Sequence, residues 1–419
     1  MICIESLQIR LNRILLLLVG LWPYQQSRLV RVQLVVLFTI LTTFILFQFA
    51  TFATSKCTSD LSINILSSTL FCAIFVIKYS SFRINIDIVK SLLEQLQHMY
   101  NELMDKNEII IIEKYGRYAK RYTAIFTLLA IFIAFGLILY PFSPRILDIL
   151  WPVNESRQRP SLLFMTEYFV DQERYFYLIF LHANVAICIG GFVMLATGTI
   201  LITYFQHACG MFRIASYRIE QAMTIGTLDK GCLGNDNLIY KGLIYAVDMH
   251  RKAMKFSDSS VSKFKVMISL LLIFGVICWS LNLFRIFQVM SFKQNFMEIS
   301  LPIIFVIVHF TYMILGNYLA QEITDHNNDV FTTVYNVQWY LAPLHVQKMI
   351  LFLLQRSTRT FTLNVGGLFI GSLEGAATVR DISIIICKTH FGSKNKTGYV
   401  LLQLLSTSIS YFTVLYSTQ

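Results

Sequence analysis

The sequence predicts an all-α, polytopic membrane protein of seven transmembrane helices, with its amino terminus inside the cell and its carboxyl terminus outside. Three observations carry this. Hydrophobic residues make up 55% of the 419 and charged residues only 14%, against about 25% charged in an ordinary soluble domain. The mean hydropathy is +0.59. The missing charge is withdrawn from long apolar runs such as 34–52 and 266–284, each long enough to cross roughly 30 Å of hydrocarbon. Finally, Lys and Arg are concentrated in alternate loops, as in cytoplasmic segments.

Along the chain, residues 1–32 form a cytoplasmic segment. Arg10 and Arg13 precede a short apolar run, which resembles the opening of a signal peptide. No small-residue cleavage site follows; Trp22, Pro23 and Tyr24 come instead, so a short interfacial or re-entrant helix is expected. Residues 33–320 hold six spans near 33–53, 61–81, 122–142, 177–205, 264–288 and 299–320, and the last span begins after about 361. Residues 1–32, 82–121, 207–263 and 321–360 carry twenty-two Lys and Arg, and the alternate loops carry six. The sequon at Asn154, in the third loop, agrees with an outer position as a glycosylation acceptor.

The cytoplasmic loops show helical periodicity. Ile88, Leu92, Leu96, Met99 and Leu103 form one apolar stripe; Leu243, Val247, Met254 and Val261 form another. Val330, Val334, Val337 and Leu341 form a third, in the anchor segment 321–360. These faces need partners, within the subunit or across a subunit interface.

Several functions are excluded. A net charge of +11 without a block of Lys and Arg argues against nucleic acid. The eight scattered cysteines show no metal-ligand spacing and read as small core residues. Hydrolase, metalloprotease and phosphate-loop motifs are absent, so no enzyme, cofactor or metal site is expected. Glu173-Arg174-Tyr175 resembles a receptor triplet, but it falls on the wrong side of the membrane. Ionisable residues inside a membrane are functional candidates, which directs attention to His182, His309 and Arg285. Lys78 is expected to snorkel to the interface. Aromatic residues crowd the outer halves of the second, third, fourth and sixth spans, as in a cavity for a small apolar ligand.

Leu315-Gly316-Asn317-Tyr318-Leu319-Ala320-Gln321-Glu322, then Val334-Tyr335-Asn336, Trp339-Tyr340, Met349-Ile350-Leu351 and Gln355-Arg356-Ser357, resemble the carboxyl-terminal signature of insect odorant receptors. So does the ending Ser410-Tyr411-Phe412-Thr413-Val414-Leu415-Tyr416-Ser417. The resemblance implies a ligand-gated, non-selective cation channel in the plasma membrane of a sensory dendrite. It implies a heterotetramer with an odorant co-receptor subunit, anchored through cytoplasmic helices that include Tyr335, Trp339 and Tyr340. Val414 matches the hydrophobic gate of the pore helix, and Thr418 lies one turn beyond it; such a ring gates by dewetting. A small volatile hydrophobic ligand is expected in the outer half, near Thr69, Phe135, Tyr140, His182 and Phe305, chosen by position within the helices. A gustatory-type channel receptor is the alternative, then a metabotropic seven-helix receptor or a transporter.

One stretch breaks the family pattern. Residues 379–403 intervene between Ala377-Thr378 and Leu404-Leu405, and they bring Lys388, Lys394 and Lys396 into the expected pore helix. A lysine at mid-bilayer costs about 3 kcal/mol, so 361–419 cannot span as written. Val379-Arg380 and Gln403 are compatible with splice-donor and splice-acceptor codons, and a retained intron is expected. The alternative is a genuine loop and an eighth span, with the carboxyl terminus inside.

Overall fold

The structure, a computed structural model, describes residues 7–25, 27–56, 58–139, 164–228, 235–291, 296–357, 361–365 and 369–372. The described residues form ten α-helices: α1 (Arg10–Leu18), α2 (Arg28–Thr54), α3 (Ser59–Ile84), α4 (Ile86–Glu102), α5 (Lys106–Leu139), α6 (Phe176–Leu228), α7 (Asn235–Ser262), α8 (Lys265–Ser291), α9 (Phe296–Asn336) and α10 (Leu344–Ser357). A 3-10 turn, Trp339–Leu341, links the last two, and β1 (Asn364–Val365) pairs antiparallel with β2 (Phe369–Ile370).

Six of these helices, α2, α3, α5, α6, α8 and α9, are long and apolar enough to cross a membrane. They coincide with the six spans expected from the sequence. The seventh, the insert 379–403, Asn154, Tyr140, Val414 and Thr418 lie outside the described residues. The starts of α2 and α3 are capped by side chains: Ser27 Oγ accepts the Val30 amide at 3.3 Å, and Thr58 Oγ1 accepts that of Leu61 at 3.3 Å. Val32, Val35 and Leu46 on α2, Leu128 and Phe132 on α5, and Val266 and Ile273 on α8 are exposed. Water would not tolerate apolar patches of this extent, whereas acyl chains match them.

Two helices are far longer than a bilayer needs. At 1.5 Å per residue, the 53 residues of α6 span about 80 Å and the 41 of α9 about 60 Å, against roughly 30 Å of hydrocarbon. Their excess lengths, with α4, α7 and the first turns of α5, build an extension layer below the spanning bundle. Here α6 packs most extensively on α7, and also on α5 and α9. Leu92, Leu96 and Met99 of α4 are buried as the periodicity predicts, with Val89 and Leu93 beside them. The buried row of α7 is Leu243, Ala246, Met249 and Ala253. Val247 and Met254, expected on that row, are only half-buried. The faces of α4 and α7 are thus covered within the subunit.

The amino-terminal helix is packed into the subunit: Leu15 and Leu16 are buried and α1 docks on α5 and α6. Asn12 Nδ2 donates to Thr123 Oγ1 at 3.4 Å, and the Tyr79 hydroxyl donates to the Val19 carbonyl at 2.9 Å. Leu7, Ile9 and Leu21 are fully buried as well. The short apolar run is therefore a plug between helices.

Candidate ligand cavity

Three layers of side chains run down the bundle interior. The uppermost is aromatic. Phe44 of α2 meets Phe164 edge-on at 5.5 Å, Phe47 stacks on Tyr168 at 4.1 Å, and His182 of α6 stands between Phe44 and Phe47. The polar atoms of His182 are both spoken for. Its Nε2 lies 3.2 Å from Thr43 Oγ1 and its Nδ1 2.7 Å from the Tyr168 hydroxyl. The Thr43 hydroxyl already gives its hydrogen to the Thr39 carbonyl at 2.8 Å. It must accept from His182, so Nε2 carries the ring hydrogen and Nδ1 accepts from Tyr168. Burial pushes the Tyr168 phenol up to about 12, which keeps that donor protonated.

The second layer is polar and closed. Gln48 of α2 is fully buried, and its Oε1 accepts from Ser68 at 2.9 Å and from Thr69 at 3.1 Å. Thr69 therefore faces α2. Phe135 joins neither layer, because it sits on the outward side of α5 with 63% of its surface exposed. The space among Leu137, Phe164 and Ala183 amounts to only about 10 Å³, too little for a ligand. Among the described residues, Phe44, Phe47, Phe164 and Tyr168 crowd this level of the bundle.

The third layer holds the room. A cavity of about 250 Å³ opens between α3, α6, α8 and α9, reaching Val261 at the end of α7. Phe71, Phe75, Leu271 and Val308 give it apolar walls. One glycine from each of three helices lines it: Gly198, Gly275 and Gly316. A Cβ at Gly316 would meet nothing within 4 Å, and one at Gly275 would stop 3.7 Å from His309 Cδ2. None of the described residues expected at the ligand site lines this space. Phe305 comes nearest: it is buried and stacks on Phe71 at 4.1 Å. The cavity lies deeper than the sequence reading placed it.

Its polar groups were only partly anticipated. His309 lines the cavity, as do Trp279, Tyr312 and Asn317. Trp279 Nε1 and His309 Nε2 are buried with no hydrogen-bond partner among the described residues. Lys78 does not snorkel. It is fully buried, and its ammonium lies 4.2 Å from the centre of the Tyr312 ring, a cation–π contact in place of a carboxylate. The i, i+4 spacing of Gly275 with Trp279, and of His309 with Met313, was available in the sequence. It fixes which residues share a face, and the structure is needed to show which face looks inward.

Below the cavity, Cys209, Glu322 and His326 bring sulfur, oxygen and nitrogen within 4.8 Å of one another. Two of the three are already engaged: Gln206 Nε2 donates to Glu322 at 2.8 Å, and His326 Nε2 meets the Tyr115 hydroxyl at 2.7 Å. A hydrogen-bonded node joining α5, α6 and α9 accounts for them.

A family model described as 7tm Odorant receptor matches residues 59–379. The chain belongs to the odorant receptor family. Its members are receptors, not enzymes. Among the solved structures that share the fold of this receptor are two of the insect olfactory receptor OR5 from Machilis hrabei. The first, a complex with eugenol, superposes with a TM-score of 0.71 at 15% identity, covering 96% of this chain and 97% of that one. The second, without eugenol in its description, gives 0.59 at 16% identity, covering 93% and 97%. No curated protein sequence matches the receptor. The family match stops at residue 379, the first residue of the stretch that breaks the signature.

Proposed function

We propose that this receptor is the odorant-tuning subunit of a ligand-gated, non-selective cation channel. The observation that carries the reading is the family match over residues 59–379, joined to an apolar cavity of about 250 Å³ inside the bundle. The ligand is a small volatile hydrophobic molecule, and the eugenol bound by the Machilis receptor is in keeping with that size class. It occupies the space under Phe71, with Phe305 behind that ring; Thr69 and His182 hold the roof. Tyr140 is assigned to the same roof by its position in the sequence, and Phe135 faces lipid.

The amino terminus lies in the cytoplasm, which puts the extension layer there and Asn154 outside, open to glycosylation. The extension layer exposes Tyr335, Tyr340, Leu344 and Phe352, the last at 73%. With Trp339 these residues suit an anchor against neighbouring subunits, the odorant co-receptor among them. Val414 forms the gate and Thr418 lies a turn beyond it. Residues 379–403 are a retained intron, so the working pore helix joins Thr378 to Leu404. The setting is the plasma membrane of a sensory dendrite.

Whole-cell recording tests the reading. The receptor without residues 379–403, expressed with an odorant co-receptor, passes odorant-evoked cation current that persists when G proteins are blocked. Current that vanishes under the block establishes a metabotropic receptor instead. Transcript sequencing tests the intron: reads joining Thr378 to Leu404 support it, and mature transcripts carrying all of 379–403 refute it.

A further inference from the structure

We propose that the cavity between α3, α6, α8 and α9 selects apolar ligands carrying a hydroxyl group, which donates its hydrogen to His309 and accepts from Trp279. This rests on the odorant-receptor reading and adds to it a chemical class and two specificity-determining residues.

The argument begins with the histidine ring. His309 Nδ1 lies 2.8 Å from the Phe305 carbonyl, one turn earlier on α9. A carbonyl can only accept, so Nδ1 carries the hydrogen. In the uncharged ring Nε2 is then a bare lone pair, and it has no partner among the described residues. The ring edge that includes Cδ2, the atom bonded to Nε2, faces α8 at Gly275. One turn further along α8 stands Trp279, only 7% exposed, whose Nε1–H also has no partner among the described residues. Both side chains line the same cavity. A buried acceptor and a buried donor, each without a partner among the described residues, thus belong to two side chains of one cavity wall, whose other polar side chains are Ser260, Tyr312 and Asn317.

Leaving buried polar groups unpaired is costly, and a ligand that pairs them recovers that cost. A hydrocarbon pairs neither group. An aldehyde or ketone accepts from Trp279 and leaves His309 unpaired. A hydroxyl is the smallest group that does both. A site built to pair a hydroxyl discriminates strongly against analogues that lack it. Asn317 also lines the cavity, but its amide nitrogen donates to the Met313 carbonyl at 2.9 Å and its Oδ1 accepts from the Ser372 amide at 3.2 Å; the Lys78 ammonium, which would favour a carboxylate, sits over the Tyr312 ring and does not line the cavity. His182 makes the contrast: both its nitrogens are used by the protein, so it has nothing to offer a ligand.

The test measures binding of octan-1-ol, octanal, octane and octanoic acid to the full-length receptor in lipid nanodiscs. Octanol should bind about tenfold more tightly than octanal and octane. His309→Phe keeps a ring of similar shape, and should bring the ratio of octanol to octane affinity to about one, with thermal unfolding read alongside to confirm that the fold is kept. Trp279→Phe should lower the ratio of octanol to octane affinity several-fold. Equal affinity for octanol and octane overturns the proposal, and so does tighter binding of octanoic acid, which would hand the selection to Lys78. Current recordings separate this proposal from the channel reading. Octanol that binds with the stated preference but evokes no current leaves the site standing and removes the channel reading. An octanol-selective current that survives both substitutions overturns the site and keeps the channel.

Discussion

The spanning bundle and the extension layer are built from the same helices, yet they are held together differently. Inside the bundle, the polar links described above are mostly uncharged, Gln48 with Ser68 and Thr69, and His182 with Thr43 and Tyr168, and the Lys78 ammonium lies against the Tyr312 ring in place of a carboxylate. The extension layer is stapled by charge. Arg218 of α6 grips Glu108 of α5 with two parallel bonds, at 2.6 and 2.8 Å, and its third nitrogen reaches the Tyr245 carbonyl of α7 at 3.1 Å. His250 of α7 meets Asn327 of α9 at 2.9 Å, and Lys252 bridges Glu102 of α4 at 2.8 Å. In lipid, ion pairs carry a heavy desolvation cost and packing has to serve. Beyond the lipid, long helices need fixed partners. The loosely linked half has room for a ligand, and the stapled half keeps one shape.

The largest test breaks the staple. Arg218→Ala leaves the Glu108 carboxylate, 7% exposed, buried without its counter-ion, and should cost about 3–5 kcal/mol. The readout is thermal unfolding in detergent. Arg218→Lys should recover only part of it, because an ammonium cannot form the two-pronged contact. A smaller effect comes from closing the looser half. A Cβ at Gly190 of α6 would fall within the Phe75 ring, which lines the cavity. Gly190→Ala should cost about 1–3 kcal/mol by overpacking and weaken ligand binding as that ring shifts.

The third test uses pH. Burial holds His250 below its ordinary value of 6.5, with the Arg356 charge adding to the effect and the Asn327 bond opposing it. The unfolded chain therefore takes up a proton first as pH falls through 6.5, and stability drops from there downward. His250→Gln should flatten the drop between pH 7.5 and 5.5, and an unchanged pH profile would show that another group causes it. The smallest effect is expected of Lys252→Ala. Its partners are half-exposed, so the loss should stay within about 1 kcal/mol and shrink in high salt.

The same two regions differ in how far they could be read from the sequence. The spans declared themselves by length and charge, because lipid punishes every departure. On α4, large apolar residues at helical spacing picked out the right face. On α7 the large residues misled by one position: α6 approaches so closely that a Cβ at Gly242 would come within 2.8 Å of Ala222 Cβ. Alanines fill that seam, and they leave a weak apolar signal. The cavity was harder. Thr69, His182 and Phe305 lie on the right helices, but rotation about each axis decides what a residue touches, and periodicity blurs where every face is apolar. What marked the cavity was the glycine on each of α6, α8 and α9. Small residues usually draw membrane helices together, and a Cβ at Gly316 would meet only open space.

The 53 uninterrupted residues of α6 give the receptor a mechanical property. Met194 and Gly198 of this helix line the cavity, while Arg218 sits in the staple. About 45 Å of this rigid rod, from Gly198 to Leu228, lies beyond the cavity, and a tilt of about two degrees would carry its end about 1.6 Å sideways, on the scale of helix shifts that switch assemblies. A small displacement at the cavity wall would thereby be magnified at the cytoplasm-directed end of the rod, where Arg218 ties it to α5 and α7.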